Sequence, residues 1–269
     1  MPTENTLTHR LKLLAEKYET ADFIKGDPSW FMHQIEGDTN KELLAFIASS
    51  LSYGSRKQFM PKIQLLLDNI CEFACRKQVC KNVIVSTWLI SREFEKIIPQ
   101  ANDSFYRLYT YTTYNKFLHA LALLAEQYGS IKEFLLAEHN VRQGEKIRAI
   151  DAIESITRWF REHDSKGVIP QDTRSSCKRV CMFLRWMVRS NSPVDIGIWS
   201  DIIDHRTLII PMDTHVVQEA MRMTLITSSS TSMANAIRLS RRLAEVFPND
   251  PIRGDFALFG LGADDSKTH

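Results

Sequence analysis

The sequence predicts an all-α fold. Apolar residues recur at the three- and four-residue spacing of amphipathic helices along most of the 269-residue chain. Glycine and proline are scarce, at 10 and 9 residues, whereas a β-sandwich or β-barrel needs many turns. The aromatic and threonine residues over 109–114 have β propensity. No partner strand is apparent for them, so they do not change the predicted class.

The predicted helices follow one another with short connections. Asn40 is predicted to cap a helix that Gly54 ends, and Pro61 to lie at the start of the next. Asn115 is predicted to cap a helix from Phe117 to Tyr128. Further helices are predicted near residues 7–18, 144–163, 176–190, 195–203, 214–226, 231–246 and 253–260. Residues 164–176 are predicted to form a polar loop.

The charge of the whole chain does not indicate a nucleic-acid-binding protein. Its 34 basic and 32 acidic residues give a formal net charge of +2, so a basic surface has to be sought locally. No apolar run reaches the roughly 18 residues of a membrane span. The N-terminus lacks the basic and apolar regions of a signal peptide. We therefore expect a cytoplasmic protein with no membrane partner and no obligate protein partner.

The cysteine and histidine patterns do not predict a metal or another cofactor. An odd number of cysteines without a signal peptide suggests reduced thiols, and spacing within helices suggests small buried apolar residues. No Cys-x-x-Cys pair occurs, and no two histidines stand at ligand spacing. The five cysteines are Cys71, Cys75, Cys80, Cys177 and Cys181.

One segment predicts a purely basic helix face. Residues 174–189 contain five basic residues and no acidic one, namely Arg174, Lys178, Arg179, Arg185 and Arg189. At about 100° per residue, Lys178, Arg185 and Arg189 fall on one side of a helix and the apolar residues on the other. Such a face fits nucleic acid, because duplex DNA presents one charge per ~1.7 Å. The alternative is a solvated face paired with acids elsewhere in the chain.

A second segment places a carboxylate at the start of a helix. The apolar residues Ile209 and Ile210 lead into Pro211, and Asp213 follows where the next helix is predicted to begin. Asp213 can act as an N-cap that accepts backbone hydrogen bonds. Alternatively, a capping carboxylate beside a basic helix can serve as a general base or stabilise a developing cation. The residues alone leave both interpretations open.

Together, these two segments resemble the helix-hairpin-helix DNA glycosylases. Those enzymes carry a Leu-Pro-Gly-Val-Gly-x-Lys hairpin, a helix, and then a Val-Asp-Thr-His-Val motif. Residues 211–216, Pro-Met-Asp-Thr-His-Val, match the second motif, and residues 175–179 lie where the hairpin belongs. The spacing of 35 residues from Lys178 to Asp213 is similar to that of the archaeal 8-oxoguanine DNA glycosylases.

Residues 177–199 resemble a bacterial family of uncharacterised proteins more closely. Its members share Lys-Arg-x-x-x-Phe-Leu-Arg-Trp-Met-Val-Arg, which stands here at residues 178–189. Residues 255–262 resemble the closing helices of the glycosylase superfamily, and residues 46–58 its first helix and following loop. The resemblance implies one helical unit over residues 1–269. Its two lobes would be 40–163 and 1–39 plus 164–269, with the substrate cleft between them.

The resemblance also implies DNA binding and cleavage of the N-glycosidic bond to a damaged base. Asp213 would stabilise the oxocarbenium-like transition state or activate the nucleophile, and Lys178 would attack C1′ of the sugar. Arg56 and Gln58 would line a pocket for a flipped base, or else lie in an exposed loop. The DNA-contacting residues would be Arg174, Ser175, Ser176, Arg179, Arg185, Arg189 and His215.

The chain departs from the glycosylase pattern at the hairpin. Ser175, Ser176 and Cys177 stand where the family has glycines, which let backbone N–H groups approach a phosphate. Plain register places Arg179 at the position of the catalytic lysine, with Lys178 one residue before it. Arginine stays protonated and forms no Schiff base. These departures favour the alternative function, a non-catalytic helical module that binds nucleic acid and has lost the hairpin chemistry.

Overall fold

The computed structural model describes residues 4–142 and 144–265, and it confirms a mostly helical protein. Within those residues there are eleven α-helices and one two-stranded sheet. The helices are α1 (Glu4–Tyr18), α2 (Asp38–Leu51), α3 (Arg56–Lys77), α4 (Ile84–Ile90), α5 (Tyr111–Tyr128), α6 (Ile131–His139), α7 (Ala149–Glu162), α8 (Lys178–Val188), α9 (Thr214–Arg222), α10 (Met233–Val246) and α11 (Arg253–Asp265). The strands are β1 (Ser104–Tyr106) and β2 (Tyr109–Thr110), which pair antiparallel.

The chain divides into two compact units. Unit 1 contains residues 1–25, 146–153 and 173–269, and unit 2 contains residues 26–145 and 154–172. The predicted lobes differ from these units at residues 146–153 and 164–172 and at the N-terminal boundary, where residues 26–39 belong to unit 2. The reason is local packing, because the 3-10 helix Pro28–His33 buries Phe31 and Met32 and packs on α2. That short helix therefore belongs to unit 2.

Unit 2 is built around α2 and α5. The rings of Phe46, Phe117 and Phe160 form a fully buried cluster with centroid separations of 5.3–5.9 Å. A buried carboxylate on α2 organises a neighbouring helix, since Glu42 accepts hydrogen bonds from the backbone N–H groups of Ile131 and Lys132 at the start of α6. Unpaired N–H groups at a helix start favour a negative charge there.

Unit 1 packs α11 between α1 and α9. The ring of Phe256 on α11 meets Phe23 edge to face at 5.1 Å. Helix α8 is almost entirely buried, and Phe183 on it packs edge to face on Trp199 at 5.1 Å. A helix that is buried on nearly every side needs a specific partner for each polar side chain it carries.

Several predicted element boundaries are wrong. Pro61 lies inside α3, and the predicted helix near residues 195–203 forms turns. Thr110, rather than Asn115, caps α5, since its hydroxyl accepts from the N–H of Thr113 at 3.1 Å. Residues 109–114, for which the sequence showed no partner strand, form β2 and the first turn of α5. Its partner strand is β1, three residues long, which is too short for an alternating pattern to predict.

The prediction that the cysteine side chains are buried is correct for one pair and wrong for the others. Cys177 and Cys181 are buried, whereas Cys71, Cys75 and Cys80 are exposed. Burial raises the pKa of the Cys181 thiol well above its usual range.

No helix in the described part of the chain has both the length and the apolar character needed to cross a bilayer.

Asn40 is an interior residue of α2 and does not cap it. Its side-chain nitrogen donates to the carbonyl oxygens of Glu36 and Lys81 at 2.7 and 2.5 Å, and its side-chain oxygen accepts from the N–H of Val85 at 3.0 Å. It is fully buried. One amide therefore joins the segment before α2 to the start of α4.

We expect Asn40→Ala to lower the free energy of unfolding by about 2 kcal/mol or more, because it leaves buried backbone groups without partners. Urea unfolding followed by tryptophan fluorescence measures the change. Asn102→Ala, at an exposed position in the same unit, is the control and should leave the midpoint within experimental error. Equal stability of the two variants would contradict the structural role of Asn40.

Candidate functional site

The candidate site is an ion pair between the starts of two helices in unit 1. Asp213 caps α9, and its Oδ1 accepts from the N–H of Val216 at 2.9 Å, which confirms the predicted cap. Its Oδ2 lies 3.3 Å from Nζ of Lys178, the first residue of α8. The side chains of Lys178 and Asp213 are 32% and 15% exposed. Both are therefore partly buried yet open to a ligand.

This geometry places a lysine at the carboxylate. Lys178 and Arg179 are neighbours in the chain, and successive residues turn by about 100° around a helix. It is the Lys178 ammonium that contacts Asp213. Unlike a guanidinium, a lysine amine can act as a nucleophile once it has lost a proton.

The loop before α8 pairs with the segment before α10. The N–H of Ser176 donates to the carbonyl of Thr231 at 2.8 Å, and the N–H of Met233 donates to the carbonyl of Arg174 at 3.1 Å. Arg174 and Ser175 are exposed, whereas Ser176 is buried. The N–H of Ser176 is therefore engaged within the protein, and this predicted DNA contact has no free backbone donor to offer.

Cys177 immediately before α8 has a φ of 47°, in the left-handed region. Glycine adopts that conformation at little cost, and other residues adopt it rarely. The chain thus forms a tight turn at the place where the resembled hairpin has glycines. The buried Cys177 side chain supports the turn, with its thiol 3.5 Å from the carbonyl oxygen of Ser175.

The structure corrects the prediction that Arg185 and Arg189 lie on an exposed basic face. They are only 5% and 4% exposed. Arg185 forms ion pairs with Asp195 at 3.2 Å and with Asp255 at 2.5 Å. A buried guanidinium held by two carboxylates cannot contact a DNA phosphate without local unfolding.

Arg189, the residue that directly follows α8, is held in the same way. It forms ion pairs with Glu19 at 2.6 Å, with Asp250 at 2.7 Å and with Asp195. The guanidinium carbons of Arg185 and Arg189 also lie 4.7 and 5.2 Å from the ring centroid of Phe256. The predicted face therefore exists, but it is turned toward acids and an aromatic ring of unit 1.

A signal for this burial is present in the sequence. Eight of the nine residues from Val180 to Val188 are apolar, so this helix has no broad polar face on which Arg185 could be solvated. The acidic partners come from α11 and from three connecting segments, one of them directly after α1, where sequence reasoning had no means to find them. These missed residues are Glu19, Asp195, Asp250 and Asp255.

The buried ion pairs shift the titration of their members. The pKa of Asp255 is raised to about 6, because burial and the charge of Asp213 raise it by more than the opposing charge of Arg185 lowers it. Burial also raises the pKa of Asp195. Burial alone would lower the pKa of Arg189, but its hydrogen bond to Asp250 and the surrounding carboxylates raise it overall.

The other predicted site residues lie apart from these ion pairs. His215 on α9 is half-buried, with its ring edge-on to Phe259 at 6.4 Å. Arg56 and Gln58 are exposed in the first turn of α3 in unit 2, so the alternative of an exposed loop is right about their exposure and wrong about the loop. Nη2 of Arg56 lies 3.4 Å from Oδ2 of Asp27.

A cavity of about 550 Å³ in unit 1 lies at the other end of α8 and is lined by Arg189, His205, Phe247 and Arg253, among others. Lys178 and Arg189 are eleven residues apart, or about 16 Å along a helix, so this cavity is distinct from the Lys178–Asp213 pair. Among the side chains that the structure describes, no three His, Cys, Asp or Glu residues form a group able to hold a metal ion.

Comparison with known proteins identifies the family. The family model described as "Protein of unknown function (DUF2400)" matches residues 27–264, and the chain belongs to that family. The matched range includes Lys178, Asp213 and most of the buried ion pairs. No curated protein and no solved structure matches the chain.

We expect Arg185→Ala to lower the free energy of unfolding by about 3–5 kcal/mol, because it leaves buried carboxylates without their partner. Arg179→Ala, on the same helix but half-exposed, should cost less than about 1 kcal/mol. Urea unfolding monitored by tryptophan fluorescence separates the two. Similar small losses for both variants would mean that Arg185 is solvated.

The raised pKa of Asp255 predicts a pH effect on stability. Its carboxyl binds a proton more tightly in the folded protein, with a pKa of about 6, than in the unfolded chain at about 3.8. Its contribution to stability is therefore present below pH 3.8 and is lost as pH rises to about 6. Asp255→Asn should weaken this fall between pH 4 and 6, as measured by urea midpoints.

The control for this prediction is Asp204→Asn. The hydrogen bond from Arg206 holds the pKa of Asp204 below its usual range, so its contribution has the opposite sign and is lost on acidification. An Asp255→Asn variant whose stability follows the same pH profile as the parent would contradict the assignment.

Proposed function

We propose that this protein binds DNA and cleaves the N-glycosidic bond of a damaged base, like the helix-hairpin-helix DNA glycosylases that its sequence resembles. The observation that carries the proposal is the 3.3 Å contact between Lys178 and Asp213. Both residues stand in the two segments that carry the resemblance. Their partial exposure leaves the pair accessible to a sugar.

In the proposed reaction, Asp213 accepts a proton from the Lys178 ammonium and frees the amine. The amine attacks C1′ of the deoxyribose while the bond from C1′ to the base nitrogen breaks, and the electron pair of that bond leaves with the base. The departing base takes the proton from Asp213, so the carboxylate is negative beside the cationic adduct. The adduct opens to a Schiff base, which water hydrolyses to restore Lys178.

The proposed DNA contacts in unit 1 are limited to the start of α8. Arg174 and Ser175 are exposed, and Lys178 and Arg179 are partly exposed. These side chains can approach a phosphate, whereas the buried guanidinium of Arg185 cannot. The number of cations at the start of α8 therefore sets how strongly salt weakens binding through this region.

The second candidate is a non-catalytic module that binds nucleic acid. One observation favours it, because the N–H of Ser176 is occupied by Thr231 and the resembled enzymes use backbone N–H groups of this loop to hold a phosphate. A module that had lost this contact would still bind DNA through the same cations. It would leave the N-glycosidic bond intact.

Substitution at the ion pair tests the catalytic proposal. Asn caps a helix about as well as Asp, so Asp213→Asn should keep near-parental thermal stability. It should slow base release by about 100-fold or more, the scale of a positioned acid–base group. Lys178→Met should abolish the covalent DNA adduct trapped by borohydride, whereas Arg179→Met should retain it. Single-turnover base release and trapping on a panel of damaged duplexes measure these effects.

The outcomes separate the two candidates. Parental DNA binding that weakens with salt, without base release from any duplex, would support the module and reject the glycosylase. Base release at the parental rate by Asp213→Asn would show that Asp213 is only a cap. Failure of the parent to bind duplex DNA at low salt would reject both candidates.

A further inference from the structure

The cavity at the end of α8 has the size of a small-molecule site. Its volume of about 550 Å³ falls within the roughly 300–1,000 Å³ of typical ligand pockets. Most of its lining comes from residues within 189–193 and 247–253, and Glu19 and His205 complete it. All of these residues belong to unit 1. A ligand in this cavity would therefore bridge the end of α8 and the start of α11.

Ion pairs form the inner wall of the cavity. Oε1 of Glu19 accepts from Nη2 of Arg189 at 2.6 Å, and its Oε2 accepts from Nε of Arg253 at 2.9 Å. Both oxygens of Asp250 accept from the guanidinium of Arg189, at 2.9 and 2.7 Å. Each carboxylate that lines the cavity is therefore engaged by a cation and held in place before a ligand binds.

Two side chains of the cavity have donors left for a ligand. Arg253 contacts Glu19 through Nε alone, and its two terminal nitrogens form no hydrogen bond with any residue that the structure describes. The Arg253 side chain is 38% exposed. The half-buried imidazole of His205 likewise forms no hydrogen bond within the described residues. Guanidinium nitrogens and an imidazole in one cavity favour an anion with several oxygen acceptors, such as a phosphate monoester.

The rest of the lining combines an aromatic ring and prolines with free amides. The buried ring of Phe247 lines the cavity together with the exposed Pro193 and Pro248. The side chains of Asn191 and Asn249 are exposed and form no hydrogen bond with the described residues. A flat apolar surface complements the face of a heterocyclic base, and an amide, which both donates and accepts, complements its edge.

We propose that this cavity binds a nucleoside monophosphate. The phosphate contacts the terminal nitrogens of Arg253 and the imidazole of His205, and the base packs on Phe247 with its edge toward the two amides. The four N–H groups on the terminal nitrogens of Arg253, with an imidazole beside them, suit the three free oxygens of a phosphate monoester better than the two of a carboxylate. This site does not depend on the proposed function, because it is separate from the Lys178–Asp213 pair.

Calorimetric titration of the full chain with adenosine monophosphate tests the site. The parent should bind this nucleotide, and its melting temperature should rise with nucleotide concentration by mass action. Adenosine lacks the phosphate and inorganic phosphate lacks the base. Each of these two compounds should therefore bind about tenfold more weakly or worse.

Substitutions separate the two halves of the site. Arg253→Met should weaken nucleotide binding by about tenfold or more, the loss expected for charge-assisted hydrogen bonds. Asn249→Ala should weaken nucleotide binding by about threefold and leave the binding of inorganic phosphate unchanged, because the amide contacts the base. The matched control is Arg222→Met, since Arg222 in unit 1 also pairs with a buried glutamate, Glu219 at 2.6 Å. It should bind the nucleotide as the parent does.

Each outcome supports or overturns the nucleotide site. The expected losses in Arg253→Met and Asn249→Ala, with parental binding by Arg222→Met, would support it. Absence of nucleotide binding by the parent would overturn it, as would equal affinity for the nucleotide and for inorganic phosphate. Binding that Lys178→Met abolishes and Arg253→Met retains would place the nucleotide at the Lys178–Asp213 pair instead. If Arg253→Met does not fold, an unchanged nucleotide affinity in Asn249→Ala, at an exposed position, overturns the site.

Discussion

The burial of two guanidinium groups on α8 is the constraint on which the arrangement of unit 1 depends. A buried charge is tolerated only where opposite charges and hydrogen bonds replace water. Arg185 and Arg189 obtain them from α11 and from the connecting segments that carry Glu19, Asp195 and Asp250. These ion pairs therefore fix how α8 is rotated about its axis, which apolar contacts alone specify less strictly.

The rotation of α8 about its axis also determines where the candidate site lies. Lys178, Arg185 and Arg189 fall on one side of α8, because seven and eleven residues are close to two and three whole turns. Each meets carboxylates of unit 1: Lys178 meets Asp213, and the two arginines share Asp195. The Lys178–Asp213 pair is thus the exposed end of a row of charges whose other members are buried. The position of the Lys178–Asp213 pair therefore depends on the buried ion pairs of Arg185 and Arg189.

The sequence predicted those features that depend on nearby residues. The helix over Lys178–Val188 and the cap at Asp213 follow from spacing and capping rules. The sequence did not predict the burial of Arg185, because its partner Asp255 lies 70 residues away in the chain. It also missed β1, which is recognisable as a strand only from its pairing with β2. Periodicity shows that a helix has a basic face, but tertiary contacts decide what that face meets.

The burial of Arg185 and Arg189 changes which residues could supply any affinity for DNA. An exposed face with three cations would have given a strong dependence on salt, since each neutralised phosphate releases counterions. With Arg185 and Arg189 neutralised internally, any binding of DNA through unit 1 has to rely on the fewer cations at the start of α8, and its dependence on salt is correspondingly weaker.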